Sequence, residues 1–173
     1  MHQHGFDCEL LISPMPLNTA SIKEIKSELQ ELDADVLQSI CLRLSKYKKE
    51  NKELMNYLLF EANDEQGYIN RVNEEIENQF KDLPAGNVYY IKKNLRKILR
   101  FVNRQVRYSA IKKTELEVRI FFCAQVKKAK VPLHSNVVLN NLYQQQIKKI
   151  NALLGSLPED LQADYESDLR LIL

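Results

Sequence analysis

The amino-acid sequence predicts an all-α fold of about eight helices arranged in antiparallel hairpins. From residue 21 onward, apolar residues recur at spacings of three and four, as they do on one face of a helix. Turn-forming residues are scarce, with four Gly and five Pro in 173 residues, whereas a many-stranded fold needs a turn every ~8–12 residues. Helix-capping residues also precede most of the apolar segments.

The bulk composition is that of a globular protein. Apolar residues make up 45% of the chain and charged residues 28%, which excludes a disordered or fibrous protein. We predict a single helical domain over residues 21–173 and a loose leader at residues 1–20, where no periodic pattern is present. An upstream start codon or added residues are alternative interpretations of that leader.

The sequence also predicts a cytoplasmic location. No apolar run approaches the ~18 residues of a membrane span, and the first residues lack the features of a secretory signal. Cys8, Cys41 and Cys123 are odd in number and far apart, a usage that is typical of reduced thiols.

Four helices are predicted before residue 83. Ser21 begins a capping box for the first, and Asp33 can cap the second. The third, ELMNYLLFEA at 53–62, is apolar on nearly every face, which is typical of a central buried helix. Asn63 or Asp64 begins the fourth.

The break LPAGN at 83–87 precedes a fifth helix at about 88–109. Thr114 is predicted to cap a sixth helix, ELEVRIFFCAQVKK. Its centre is alternatively a strand, because β-branched and aromatic residues crowd it. The length of the segment and its helical neighbours favour a helix, and its apolar character predicts a buried one.

Two further helices complete the prediction. Ser135 or Asn136 begins the seventh, which Gly155 closes as a C-cap. Ser156 begins a capping box for a last helix that runs to the C-terminus. That helix ends in DLRLIL at 168–173, which either docks on the core or offers an apolar patch for self-association.

Eight helices with short connections form either a compact bundle or a short right-handed stack. The segments CLRLSKYKKENKELMNYLLFEANDEQGYI (41–69) and YYIKKNLRKILRFVNRQVRYS (89–109) resemble an uncharacterised family of small bacterial all-helical proteins. They are also similar in build to armadillo- and HEAT-type helical hairpins. The similarity covers about residues 21–127, and it implies a fold without implying an activity or any functional residue.

The fifth helix has an unusual charge distribution. Residues 89–113 contain nine Lys or Arg and no acidic residue. On a helical wheel at 100° per residue, five of the basic residues fall within about 60° of one direction, opposite the apolar residues. We call these five residues the basic ridge: Lys93, Lys97, Arg100, Arg104 and Arg107.

Two interpretations of the basic ridge follow from the charges elsewhere in the chain. Residues 1–87 carry 9 Lys or Arg against 16 Asp or Glu, and residues 88–173 carry 16 against 7, for net charges of −7 and +9. The acidic residues are densest at 61–82, so the ridge either pairs with that segment or binds an anionic partner.

We predict a non-enzymatic binding or scaffolding module whose ridge binds an acidic protein partner. The alternative partner is nucleic acid, whose phosphates suit Arg. In that case nearby aromatic side chains would stack on bases and further lysines would extend the surface. A membrane surface is not expected, because the apolar face suits a core and Trp is absent. The rings are Tyr89, Tyr90, Phe101 and Tyr108, and the lysines are Lys112, Lys113, Lys127, Lys128 and Lys130.

The sequence lacks motifs that carry catalysis or metal binding. No H-E-x-x-H, E-x-x-H, G-x-x-x-x-G-K or G-x-S-x-G motif is present. Adjacent carboxylates such as Asp64 and Glu65 point about 100° apart on a helix, so they do not form an acid/base pair. We therefore predict no enzymatic activity, no metal and no cofactor. A site assembled from residues distant in sequence is the remaining alternative.

Overall fold

The computed structural model describes residues 19–84 and 86–173. The predicted leader at 1–20 lies outside this range except for its last two residues. Within the described residues the chain forms nine α-helices, one π-helical segment and no strand, which confirms the all-α prediction of about eight helices. In chain order the elements are α1 (Ile22–Gln30), α2 (Ala34–Tyr47), α3 (Lys49–Asn56), the π-helical segment (Tyr57–Glu61), α4 (Glu65–Lys81), α5 (Val88–Ser109), α6 (Lys112–Lys128), α7 (Val137–Leu154), α8 (Glu159–Asp164) and α9 (Glu166–Ile172).

Helix α6 is the centre of the fold. It contacts α4, α5, α7 and α9, and Leu116, Val118 and Cys123 on it are fully buried. One buried helix is thus surrounded by four others. The prediction that the sixth segment is a buried helix, and not a strand, is confirmed.

A buried guanidinium holds α6 to its neighbours on both sides. Arg119 is 2% exposed, and its Nη1 donates to Gln146 Oε1 of α7 at 2.6 Å. Its Nη2 lies 2.6 Å from Glu115 Oε1 and donates to Asn103 Oδ1 of α5 at 3.1 Å. A buried charge is tolerated only when it is paired and hydrogen-bonded, as it is here.

The carboxylate of Glu65 joins three parts of the chain. It accepts hydrogen bonds from the hydroxyls of Tyr57 in the π-helical segment, Ser109 at the end of α5 and Thr114 in α6. The prediction that Thr114 caps α6 is therefore wrong. Helix α6 begins at Lys112, and the buried Thr114 hydroxyl is oriented toward α4 instead.

These hydrogen bonds also determine the ionisation of Glu65. Burial alone would raise the pKa of its carboxyl group, but the hydrogen bonds from Ser109, Thr114 and Tyr57 favour the charged form more strongly. The pKa is consequently held below its usual value of 4.5. The charge also lies in the first turn of α4, where the helix dipole favours an anion.

The N-terminal elements pack far less tightly than the bundle. We call residues 21–62, which comprise α1, α2, α3 and the π-helical segment, the N-terminal arm. The Ser21 capping box is confirmed, yet no residue of α1, α2 or α3 is buried. The prediction of a central buried third helix is wrong, because only Tyr57 in this segment is buried and Phe60 is 73% exposed.

The C-terminus docks on α6, which is one of the two alternatives for DLRLIL. Ile172 is fully buried, and its backbone carbonyl accepts a hydrogen bond from the Tyr143 hydroxyl. The single last helix is divided into α8 and α9, and Ser156 donates to the Leu153 carbonyl rather than beginning a capping box. Self-association through this helix stays a prediction, since Leu171 is still exposed.

The Glu65 contacts make stability depend on pH. The Glu65→Gln variant keeps the shape but loses the charge, so we expect it to be less stable at pH 7 by about 1.5–3 kcal/mol, the value of hydrogen bonds to a charged group. Because folding lowers the pKa of the Glu65 carboxyl, its charged form stabilises the folded protein above pH 4.5. This stabilisation is lost as the pH falls below that value and the carboxyl becomes protonated. Urea unfolding followed by circular dichroism measures the free energy of unfolding of each protein. The difference between the wild type and the Glu65→Gln variant should therefore become smaller as the pH is lowered from 7 to ~3.

The control for this experiment is Glu74→Gln, an exposed position on the same helix. It should change the free energy of unfolding by less than about 0.5 kcal/mol. A difference between the Glu65 variant and the wild type that stays constant with pH would contradict the assignment.

Candidate functional site

The basic ridge lies on α5, whose two faces are strongly segregated. Asn87 caps the helix, and its Oδ1 accepts from the backbone N–H of Tyr89 at 2.9 Å. The helix ends at Ala110, which adopts the left-handed conformation with φ of 56°. As predicted, the apolar side chains lie in the core; the buried ones are Ile91, Leu95, Ile98, Leu99, Val102 and Val106.

Four of the five predicted ridge residues lie on the exposed side of α5. Lys93, Lys97, Arg100 and Arg107 are exposed, and none of them forms an ion pair with another described residue. Arg104 differs from them because it is half-buried. The structure thus presents a row of four exposed cations along about four helical turns, interrupted at Arg104.

The acidic segment at 61–82 does not neutralise this row. Glu61 and Asp64 pair with Arg71 within the same segment, and Glu77 pairs with Lys128 of α6 at 3.0 Å. Hydrogen bonding and attraction to Lys128 lower the pKa of the Glu77 carboxyl. Pairing between the acidic segment and the ridge is therefore absent from the described structure.

Only the Arg104 part of the ridge is held internally. Arg104 Nε lies 3.7 Å from Glu53 Oε2 of α3, and the same Glu53 oxygen accepts a hydrogen bond from the Tyr108 hydroxyl at 2.8 Å. Burial, followed by the hydrogen bond to Glu53, raises the pKa of Tyr108 to about 12. This contact fixes α3 against the C-terminal part of α5.

The other end of the ridge borders a shallow cleft of about 360 Å³. Its walls are basic and aromatic, and the rings of Tyr89 and Tyr90 meet edge to face with their centroids 5.4 Å apart. Because the helix begins here, its N-terminal dipole adds positive potential to that of the side chains. The lining residues are Tyr89, Lys92, Lys93, Arg96 and Arg100.

The aromatic residues predicted to stack on bases have different environments. Tyr89 and Tyr90 are 64% and 50% exposed, so both rings are accessible. Tyr108 is buried, and its predicted stacking role is wrong because its hydroxyl is bonded to Glu53. Phe101 is half-buried and faces away from the ridge into a second cleft.

The lysines predicted to extend the surface are partly occupied elsewhere. Lys113 pairs with Glu117 at 3.7 Å, and Lys128 pairs with Glu77. The Lys127 ammonium lies 5.5 Å from the centre of the Tyr143 ring. Lys112 and Lys130 are exposed, so the basic surface is mainly that of α5.

Sequence reasoning missed a larger cleft of about 550 Å³ between α3, the π-helical segment, α4 and α5. Tyr57 and Tyr68 meet edge to face at 4.8 Å beside it, and a π-helical segment often occurs at a functional position. The charged groups on its walls are largely paired with one another, as in the Arg71–Glu61 and Lys49–Glu53 pairs. The cleft therefore has less free charge than the ridge.

Comparison with family models, with curated proteins and with solved structures gives no match. The resemblance to small bacterial helical proteins and to armadillo- or HEAT-type hairpins therefore stays a prediction. None of the helices in the described ranges combines the length and apolar character needed to cross a membrane.

The Tyr108 hydroxyl should stabilise the contact between α3 and α5. We expect Tyr108→Phe to lower the free energy of unfolding by about 1.5–3 kcal/mol, because it removes one hydrogen bond to the Glu53 carboxylate and leaves the ring in place. Chemical denaturation measures this directly. Tyr89→Phe is the matched control on the same helix, since its ring is exposed; equal effects of the two substitutions would contradict the assignment.

Proposed function

We propose that this protein is a non-enzymatic binding module whose basic ridge binds an acidic protein partner. The observation that carries the proposal is the row of four exposed cations on α5 without an ion-pair partner among the described residues. Like charges at i, i+3 and i+4 spacing repel one another by a few tenths of a kcal/mol per pair. A partner that carries carboxylates would offset this repulsion.

The dimensions of the ridge suit an acidic helix or an extended acidic segment. Lys93 and Arg107 are 14 residues apart, which corresponds to about 21 Å along a helix. Arg presents a planar group that grips a carboxylate with two hydrogen bonds. Exposed pairs contribute up to about 1 kcal/mol each, so several together give a salt-sensitive contact of moderate affinity.

Nucleic acid is the second candidate, and the exposed Tyr89–Tyr90 pair favours it. These rings lie beside Lys92 and Lys93, where a base could stack while the cations contact phosphates. An acidic protein remains the better-supported partner because Tyr108 is buried and Phe101 lines a different cleft, so neither ring extends the Tyr89–Tyr90 pair.

Fluorescence anisotropy tests the proposal with two labelled probes, a helical peptide with Glu at every third or fourth position and a single-stranded oligonucleotide. We expect the peptide to bind at about 50 mM salt and to bind more weakly at about 200 mM. Three charge reversals, Lys93→Glu, Lys97→Glu and Arg100→Glu, should together weaken binding by about tenfold or more, since each removes about 0.5–1 kcal/mol of attraction.

The matched control reverses three exposed cations that lie away from the ridge, Lys23→Glu, Lys46→Glu and Lys148→Glu. It changes the net charge by the same amount, so it separates a local effect from a general one. Tight binding of the oligonucleotide with weak binding of the peptide would favour the second candidate. An equal loss of affinity in both triple variants, or no binding of either probe at low salt, would contradict the proposal that the ridge is a specific binding surface.

A further inference from the structure

The N-terminal arm exposes an unusual amount of apolar surface. In the part of the chain that the structure describes, α1, α2 and α3 contain no buried residue. Leu37 and Ile40 of α2 and Met55 of α3 are half-buried, but eleven large apolar side chains of these helices and of the π-helical segment are between 37% and 81% exposed. These residues are Ile22, Ile25, Leu29, Val36, Leu42, Leu44, Tyr47, Leu54, Leu58, Leu59 and Phe60.

Such helices need a surface to pack on. Ile22, Ile25 and Leu29 form one apolar stripe on α1, and a stripe of this kind normally faces a core. Isolated helices of fewer than ~12–15 residues are marginal in water, because most helix stability in proteins comes from packing. Helices α1 and α3 are shorter than this length, and α2 lies within the marginal range. Burial of the apolar faces would therefore stabilise all three helices.

The size of the exposed surface matches a protein interface. A fully exposed aromatic side chain offers about 150–250 Å² and an aliphatic one somewhat less, so the exposed fractions of these eleven residues together correspond to roughly 900 Å². This area is the total over four elements, and a stable interface buries about 800 Å² on each partner. The arm therefore exposes enough apolar area for a dimer interface.

The charges of the arm favour a second copy of this chain as the occupant. Residues 21–62 contain seven Lys or Arg against eight Asp or Glu, a net charge of −1. A nearly neutral surface has no field that selects a strongly charged partner, and two copies can pack together without like-charge repulsion. The basic ridge on α5, by contrast, repels a copy of itself.

We infer that the N-terminal arm is a homodimer interface, in which the apolar faces of α1, α2 and the π-helical segment pack against those of a second copy. A two-fold symmetric contact of this kind uses the same patch on both chains. The inference does not depend on the proposed function of the ridge, because no ridge residue takes part in it.

Sedimentation or light scattering of the full chain tests the inference over about 5–200 μM protein. We expect a mass twice that of one chain. The double variant Leu59→Asp, Phe60→Asp places charge in the apolar contact and should weaken the dimer by at least about tenfold. Both residues are exposed in the single chain, so its helical circular dichroism should be unchanged.

Val137→Asp is the matched control. Val137 is 75% exposed and lies on α7, outside the arm, so the same change of residue type there should leave the dimer intact. A chain that is monomeric at every concentration would overturn the inference, and the apolar surface of the arm would then be a candidate binding site for a different protein. A dimer that persists in the Leu59→Asp, Phe60→Asp variant would overturn it as well.

A second measurement needs no substitution in the interface. Cys41 on α2 is exposed and Cys123 is buried, so in a Cys8→Ser variant a thiol reagent reports on Cys41 alone among these cysteines. We expect its rate of alkylation to fall severalfold as the protein concentration rises through the dimerisation range. A rate that is the same for monomer and dimer would place the interface elsewhere.

Discussion

The arrangement of the bundle depends on one carboxylate. Glu65 accepts hydrogen bonds from three hydroxyls that belong to three elements, and it does so at the start of α4, where an anion is favoured. The corner between α5 and α6 is thereby held against α4, and Tyr57 is held inward from the π-helical segment. If this carboxylate were absent, the buried hydroxyls of Ser109 and Thr114 would lose their acceptor, at a cost of about 1–3 kcal/mol for each unsatisfied group.

The orientation of α5 follows from this corner. Because Ser109 and Tyr108 are drawn inward at the C-terminal end of the helix, the opposite side of α5 is left facing outward along its length. The ridge is therefore the necessary outer surface of a helix whose last turn is fixed in the core. Its cations remain accessible because the acidic residues of the neighbouring helix α4 do not pair with them: Glu65 accepts from three hydroxyls and Glu77 pairs with Lys128.

Much of this structure could be predicted from local patterns. The stripes of α4, α5 and α7 repeat every three or four residues, and a repeat of that kind determines both the helix and its buried face. The ridge was predictable for the same reason, since it is the complement of the apolar stripe on one continuous helix. Asp64 and Asn136 were also predictable as caps, because capping involves residues within one turn.

Apart from the local capping box at Ser156, the wrong predictions concern contacts between distant residues. Thr114 was expected to cap its own helix, but its partner Glu65 lies 49 residues away. Tyr108 was expected on the surface, but Glu53, 55 residues earlier, draws it inward. The segment at 53–62 is apolar on nearly every face, and such a pattern predicts that the helix is buried. The pattern does not specify whether the same chain or another molecule buries it.

Glu53 lies where the ridge meets the arm, and this position has a thermodynamic consequence. Its carboxylate is shared by Arg104 of the ridge and Tyr108 of the core, while its backbone belongs to α3. An anion that bound Arg104 would compete with Glu53 and so change the free energy of holding α3 in place. By linkage, anything that fixed α3 would alter the affinity of Arg104 for anions by the same factor. Glu53 would thus couple anion binding at the ridge to the position of the arm.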